Sequence, residues 1–578
     1  MELPRIVHDE ILHKLEEPQE QHLAEVFHAA EVQVPVKELS NAKKHVVFDA
    51  DGIALKKQSK QTQKKLNCES TPLLKPSPSG DHIVVVDANK VEEILDAEEK
   101  DAIEADARMK TWSIVAEESV ILVKLSIPMI MAALLEFIPD LVLTMMVGHV
   151  NPNESTQILA AFNLSGLVQM ILLAGLLNGL SSAIDTLCSQ AFGGKRMTEL
   201  WLYCQAGLLM YAMCMPFTAI ALLSGTHILV WLGQDPEISK IAGQFLFVNA
   251  LAIPFGVIYS VMKSALQAQN IVFPFVVSSL IGWIVSGVIA YLLAFHTPLG
   301  YLGIALASPL CFIVKSLALV PVILQNELFQ ATWPGWKPHE AMALVPKISK
   351  LGVSSVLMVT FQMLGFSFIS LLAGLLPNAG VMITANGIFT SIILLSFMPL
   401  LGICIGGAIR IGNALGAGKA RRAALIGRIV MIGSVSISSM GMIGTVFVAE
   451  PYAYSFTPDP KATAVAVDLT YKLLPIIPLM GFTFGMQSIL RACGKQLLCA
   501  KFNFVCMFVI GVPVGLLFAM QLNGGLAGLW LGNMVGLFVF MLAGIVWLYR
   551  ISWDALAHEA KHNTHLNFGK APAAADAF

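Results

Sequence analysis

From Glu118 onward, long apolar runs alternate with short polar breaks, and the runs number twelve. They cover approximately residues 119–147, 159–183, 202–224, 240–261, 272–294, 300–324, 349–374, 381–408, 426–447, 466–489, 502–520 and 525–548. A helix crosses the hydrocarbon core of a bilayer in about 20 apolar residues, and these runs are that long. Lipid offers no hydrogen-bond partners, so a spanning segment must satisfy its own backbone. The pattern therefore predicts an all-α, polytopic membrane protein of about twelve transmembrane helices. Ahead of the first run the pattern changes. Stretches near 7–30 and 90–110 have helical patterning, and the Lys-, Gln-, Ser- and Pro-rich segment between them predicts no regular structure.

Composition sharpens this division. Only 13% of the 578 residues are charged, against about 25% in soluble domains. Residues 1–112 hold 37 of the 76 charged side chains, 22 acidic and 15 basic, and the other 466 residues hold 39. The net charge of −2 offers no basic surface for a nucleic acid. The first twenty residues lack the apolar run of a cleavable signal. The nine cysteines have neither metal-ligand spacing nor a disulfide framework.

Lys and Arg near the helix ends set orientation. Breaks 2–3, 4–5, 6–7, 8–9 and 10–11, with the exit of the last helix, carry fifteen, among them Arg196, Lys263, Arg410, Arg422, Arg491 and Lys495. The alternate breaks hold only Lys240, Lys461 and Lys472. The asymmetry predicts both termini in the cytosol.

The two halves repeat. The segment LAIP ending at Pro254 matches PIIP ending at Pro478, and Ser264–Ala268 matches Ser488–Ala492, both at an offset of 224 residues. Gln190-Ala191-Phe192-Gly193 matches Asn413-Ala414-Leu415-Gly416 at 223. Six spans per repeat keep both halves in the same orientation, related by an axis along the membrane normal, an arrangement that suits substrate held between rocking bundles. The expected organisation is a cytosolic, largely disordered tail over 1–112, a six-helix lobe over 113–340, a second over 341–555, and a short cytosolic tail over 556–578.

Several segments stand in a characteristic order: Gly148-His149, AIDTLCSQAFG (183–193), LGQDPEIS (232–239), LQAQNIVFP (266–274), RIGNALGAGKARRA (410–423), LRACGKQ (490–496) and GVPVG (511–515). Together, over roughly 115–555, they resemble the eukaryotic type of the multidrug and toxic compound extrusion (MATE) family. The resemblance implies two lobes around a V-shaped cavity and export of organic cations or metabolites against H⁺ or Na⁺. Eukaryotic members carry a glutamate in the seventh helix, where this chain has Gln362, and an acid eleven residues before the R-x-C-G arginine, where it has Met480. Prokaryotic members place an aspartate in the first helix, five residues before a glycine, where this chain has Leu143.

Other acids are candidates for the missing role. Of seventeen Asp and Glu beyond residue 112, Glu136 and Asp140 alone fall deep in a span. At i, i+4 they share one helix face. Intramembrane carboxylates face protein or a water-filled cavity, and two close together titrate as a unit, which suits proton loading. Pro139 removes a backbone donor between them, so protonation can change a kink. The alternative is an ion pair with Lys315 of the sixth span. Gln362 and Gln487 are expected to hydrogen-bond substrate. Met480 with Phe361 and Phe366 is expected to form an adaptable apolar wall, packing being the alternative. Asp185, Arg410 and Arg491 are expected to act with Pro139 in structure and gating, Asp185 accepting hydrogen bonds or pairing with Arg196 or Arg410. Glycines in AFGGKR and ALGAGKA are expected to supply left-handed backbone at tight turns. ALGAGKA lacks the spacing of a phosphate-binding loop.

In the tail, Glu69-Ser70-Thr71-Pro72-Leu73-Leu74 fits the acidic dileucine pattern read by sorting adaptors, with Glu69, Leu73 and Leu74 as its readable residues. That favours a vacuolar, lysosomal or endosomal membrane, with the plasma membrane as the alternative. The expected partners are thus a small organic substrate, H⁺ or Na⁺, the bilayer and a sorting adaptor. No cofactor and no nucleic acid are expected, and the protein is expected to be a monomer. No nucleophile–base–metal set points to an enzyme. A major-facilitator protein is disfavoured because AFGGKRMTEL lacks that class's motif in break 2–3. A flippase-like or scaffold protein that kept the fold stays open.

Overall fold

A computed structural model of the chain describes residues 31–35, 74–76, 82–86, 100–150, 155–456 and 460–564. It divides into residues 109–564 and a second unit of residues 1–108 with 565–578. In the second unit, β1 (Glu31–Pro35), β2 (Leu74–Pro76) and β3 (His82–Val86) pair antiparallel in the order β1–β3–β2. The stretch between the two helical segments, expected to lack regular structure, therefore contains a small sheet, and the β-branched runs VQV and HIVVV are the residues that favour it. Residues 100–108 are helical, inside the stretch that the pattern marked. The other marked stretch, 7–30, lies outside the described residues, as do Glu69 and Leu73. Leu74 opens β2.

The larger unit is helical. Its helices follow the twelve apolar runs in order. They are α1 (Thr111–Val150), α2 (155–193), α3 (Met197–Leu223), α4 (Pro236–Ala250 with Ala252–Ala268), α5 (Phe273–His296), α6 (Tyr301–Leu324), α7 (Pro338–Ala373), α8 (Ala379–Gly416), α9 (Ala420–Phe456), α10 (Pro460–Lys472 with Ile476–Ala492), α11 (Gln496–Gln521) and α12 (Gly525–Arg550). Among the described residues nine helices are long and apolar enough to span a bilayer, and eleven when the bent pairs of α4 and α10 each count as one. The remaining helix, α2, is continuous through a π-helical stretch at Met170–Ala174. A further amphipathic helix, α13 (Trp553–Thr564), follows α12.

Sequence motifs explain the ends and bends. In LGQDPEIS, Asp235 caps α4: its Oδ1 accepts from Glu237 N at 2.9 Å and Ile238 N at 3.2 Å, with Pro236 in the first turn. In GVPVG, Gly511 and Gly515 let α12 approach α11. A Cβ on Gly532 would fall 2.2 Å from Gly515 Cα, so the two helices touch backbone to backbone.

The repeat is visible in the geometry. α4 bends by 48° just before Pro254, and α10 bends by 63° just before Pro478. Left-handed backbone recurs at matched positions, Lys195 and Gly418, Asn270 and Gly494, and Gly300 and Gly525. The turn expectation needs one correction. Gly418 supplies the left-handed residue of the second turn (φ 71°), but in the first turn it is Lys195 (φ 55°). Gly193 is a glycine for a different reason, the closeness of the opposite half.

Candidate functional site

The end of the bundle that carries the basic breaks is where the two halves lock together. A Cβ on Gly193 would lie 1.9 Å from Asn413 O, and one on Gly416 would lie 1.9 Å from Gln190 O. Each half thus presents a glycine to a carbonyl of the other, at repeat-matched positions. Side chains cross between the halves as well. Gln190 Nε2 donates to Ala492 O at 3.0 Å. Its counterpart Asn413, with its amide nitrogen toward Ser189, donates to Ser189 O at 2.8 Å and accepts from Asn270 Nδ2 at 3.1 Å. Thr186 Oγ1 donates to Arg491 O at 3.0 Å.

A buried ion cluster adds to this closure. Glu118, fully buried at the start of α1, accepts from Arg410 Nε and Nη2 at 3.0 and 2.7 Å and from Arg422 Nη1 at 2.9 Å. Arg422 also pairs with Glu117 at 3.1 Å. α13 lies against the same end. Its Leu556, Ala557 and Ala560 pack with Leu122 of α1, Ile411 and Leu415 of α8, and Ala423 and Ile426 of α9. Arg196 Nη1 donates to Lys561 O at 3.1 Å, satisfying a carbonyl of the last turn of α13, and Lys495 pairs with Glu559 at 2.8 Å.

These contacts bear on the alternatives for Asp185, hydrogen bonding or a pair with Arg196 or Arg410. Arg410 is taken by Glu118, and Arg196 caps α13. Asp185 instead faces Ser264, Lys263 and, across the halves, the Arg491 guanidinium. Its Oδ1 and Arg491 Nε are both buried without a hydrogen bond.

Deeper in the bundle, α1 presents one stripe to α4, α5 and α6. Leu122, Leu125, Met129 and Ala132 are buried along it, and Leu125, Met129 and Ala132 pack with Tyr259, Phe275, Val276 and Leu319. Glu136 is the next residue on the stripe, and it is exposed. The buried stripe of α1 ends at this carboxylate. Glu136 is close enough to Tyr259 of α4 and Cys311 of α6 to act on both electrostatically. Tyr259 Oη in turn shares a hydrogen bond with Ser279 Oγ at 3.2 Å. The side chains of Pro139 and Asp140 lie outside the described residues.

The alternative reading, an ion pair of Lys315 with one of the two carboxylates, finds no Glu136–Lys315 pair among the described residues. Lys315 is 3% exposed, and its Nζ sits among three rings, 5.1 Å from the centre of Trp283, 5.4 Å from Tyr259 and 5.7 Å from Phe312. Among the described residues, aromatic faces are what lie beside the ammonium.

The second half is neutral at the equivalent depth. Gln362 is buried on α7. Gln487 Nε2 donates to Asn503 Oδ1 at 3.5 Å, and Asn503 Nδ2 to Met358 O at 3.1 Å, so Gln487 finds its partner inside its own half. Met480 and Phe366 pack in an apolar cluster with Phe389 and Trp530, and Phe361 packs on Phe504. Trp530 Nε1 donates to Asn386 Oδ1 at 2.8 Å, and Asn386 Nδ2 to Ser370 Oγ at 2.8 Å.

The MatE family model matches residues 128–292 and again 354–517, one match in each half and together more than half of the chain. The chain belongs to the MatE family. Its members are transporters, so the chain is a multi-pass membrane transporter and not an enzyme. Among the relatives, Multidrug and toxin extrusion protein 1 of Xenopus tropicalis is 28% identical over 459 residues, covering 78% of this chain and 77% of the relative. Protein DETOXIFICATION 16 of Arabidopsis thaliana is 28% identical over 471 residues, covering 80% and 92%. The crystal structure of the eukaryotic MATE transporter AtDTX14 superposes with a TM-score of 0.73 at 20% identity, covering 78% of this chain and all of that one. The MATE fold of twelve helices in two lobes is therefore the fold of residues 109–564. The two family matches begin at 128 and 354, close to the spacing of the internal repeat.

Of the residues that sequence reasoning singled out, the structure gathers Arg410 and Arg491 at the closed end and places Glu136 beside Tyr259. It missed Glu118, Gln190, Asn413 and the docking of α13. A signal for Glu118 was present: an acid at the edge of the first span, with Arg410 and Arg422 at the edges of two others. The rings around Lys315, far apart in the chain, carried none.

Proposed function

We propose that this protein is a secondary active antiporter that exports organic cations or other metabolites and xenobiotics in exchange for H⁺, by alternating access between its halves. The coupling pair is Glu136 with Asp140. The observation that carries the reading is the exposed Glu136 at the point where the buried stripe of α1 ends, with Tyr259 beside it. A carboxylate that faces open space at that depth can exchange a proton with water. The second half has no described acid at the equivalent depth. The names of the relatives, extrusion and detoxification proteins, support the cargo class. Proton coupling is favoured over Na⁺ because two carboxylates give a metal ion few oxygen ligands.

The locked basic end is read as the cytosolic side, with both termini there. Closure at that end and an exposed Glu136 fit a state that faces away from the cytosol. In this reading the lobes divide near residue 340, the protein works as a monomer, and an adaptor reads Glu69, Leu73 and Leu74 to direct it to an internal membrane.

The test is uptake of a fluorescent organic cation into proteoliposomes under an imposed pH gradient. Wild type is expected to accumulate it, and Glu136→Gln with Asp140→Asn is expected not to. Full gradient-driven uptake by the double variant rejects the coupling site.

A further inference from the structure

Lys315 is a cation in a place where a membrane helix rarely keeps one. Among the described residues it has no carboxylate at ion-pair distance. Its ammonium sits in a box of three rings from three helices, Tyr259 of α4, Trp283 of α5 and Phe312 of α6, all with centres 5.1–5.7 Å from Nζ, with the Cys311 thiol also within reach. Room for the lysine stem is made by Gly282: a Cβ there would fall 2.8 Å from Lys315 Cγ. The box is also in the field of Glu136, which acts on Tyr259 and on Cys311, one turn before Lys315.

Several aromatic faces around one centre, near a carboxylate but not in contact with it, form the kind of site that recognises organic ammonium ions. Nothing in the chemistry requires that ammonium to be covalently attached. We propose that the Tyr259–Trp283–Phe312 box is an organic-ammonium subsite, occupied in this state by the protein's own Lys315, which thereby excludes small alkylammonium cargo from the first half. Lys315 is then a specificity-determining residue. A cation can use the box only by displacing the lysine, and cargo that binds beside it does best with a group that tolerates or pairs with a fixed positive charge. The assignment rests on the first half being the transport path. Its test measures binding without any ion gradient, so failed proton coupling and a failed subsite give separate signatures.

The probe is n-butylammonium, which has the atoms of the whole lysine side chain, from Cβ to Nζ. Purified Lys315→Ala is expected to bind it about tenfold more tightly than wild type, the order that desolvated cation–π contacts supply. Lys315→Met, which fills the space without charge, is expected to leave no vacancy and to bind as weakly as wild type. Adding Trp283→Leu to Lys315→Ala is expected to remove the gain. If Lys315→Ala is too unstable for equilibrium binding, its melting temperature with n-butylammonium, against the neutral isostere n-butanol, answers the same question. A monodisperse Lys315→Ala protein with no gain overturns the proposal. So does a gain that survives Trp283→Leu, or equal stabilisation by n-butanol, which would show that the box does not read charge.

Discussion

The two halves of this transporter share a backbone plan and differ in what they hold at its centre. Both bend a helix before a matched proline, at Pro254 and Pro478, and both turn through matched left-handed residues. Yet the middle of the first half carries Glu136, Tyr259 and a caged Lys315, while the middle of the second carries Gln362, Gln487 and Asn503. The difference teaches which positions a repeated fold fixes. Turns and crossings are set by close backbone contact, which leaves little freedom. Side chains that face open space or one another can change, provided that each buried polar group finds a partner.

The sharpest way to break this comparison is through transport. Glu136→Gln is expected to reduce gradient-driven uptake to background, whereas Gln362→Ala is expected to keep the dependence on the gradient. The opposite pattern would move coupling to the second half. Next in size is the ion cluster that joins the halves. Glu118→Ala leaves two arginines facing a vacancy and is expected to cost about 4 kcal/mol in detergent unfolding. Glu118→Leu with Arg410→Met and Arg422→Met is expected to recover much of that loss.

The glycine crossing tests equivalence directly. Gly193→Val and Gly416→Val are each expected to destabilise by about 3 kcal/mol, because each drives a side chain into the other half's backbone. Clearly unequal losses would show that the crossing is not symmetric. The smallest effect separates the matched turns. Gly418→Lys is expected to cost about 1 kcal/mol through its left-handed backbone, and Lys195→Gly is expected to be neutral or slightly stabilising.

Much of the architecture was legible in the sequence. The spans could be read because lipid imposes a length, and the repeat because proline and small residues recur at one offset. What could not be read required neighbours. Glu118 lies at the edge of a run, where an acid ordinarily belongs to solvent, and only the folded chain brings Arg410 and Arg422 to it. The tail after α12 shows a weak amphipathic pattern, but its seat against α1, α8, α9 and α10 comes from four separate segments. Lys315 stood out in the sixth span, and its partner was expected among carboxylates. Among the described residues its neighbours are three rings, and aromatic residues are too common in membrane helices for their spacing to announce a cage.

The paired glycines at the basic end have a consequence for how such a protein can arise. Each half gives a glycine to the other's carbonyl and receives the reverse, which is the reciprocity of an isologous contact between identical subunits. A six-helix ancestor with one such patch could meet a parallel copy of itself through the same surface. Once duplication joined the copies in a single polypeptide, that surface had to stay self-complementary, while the two interiors no longer had to be alike.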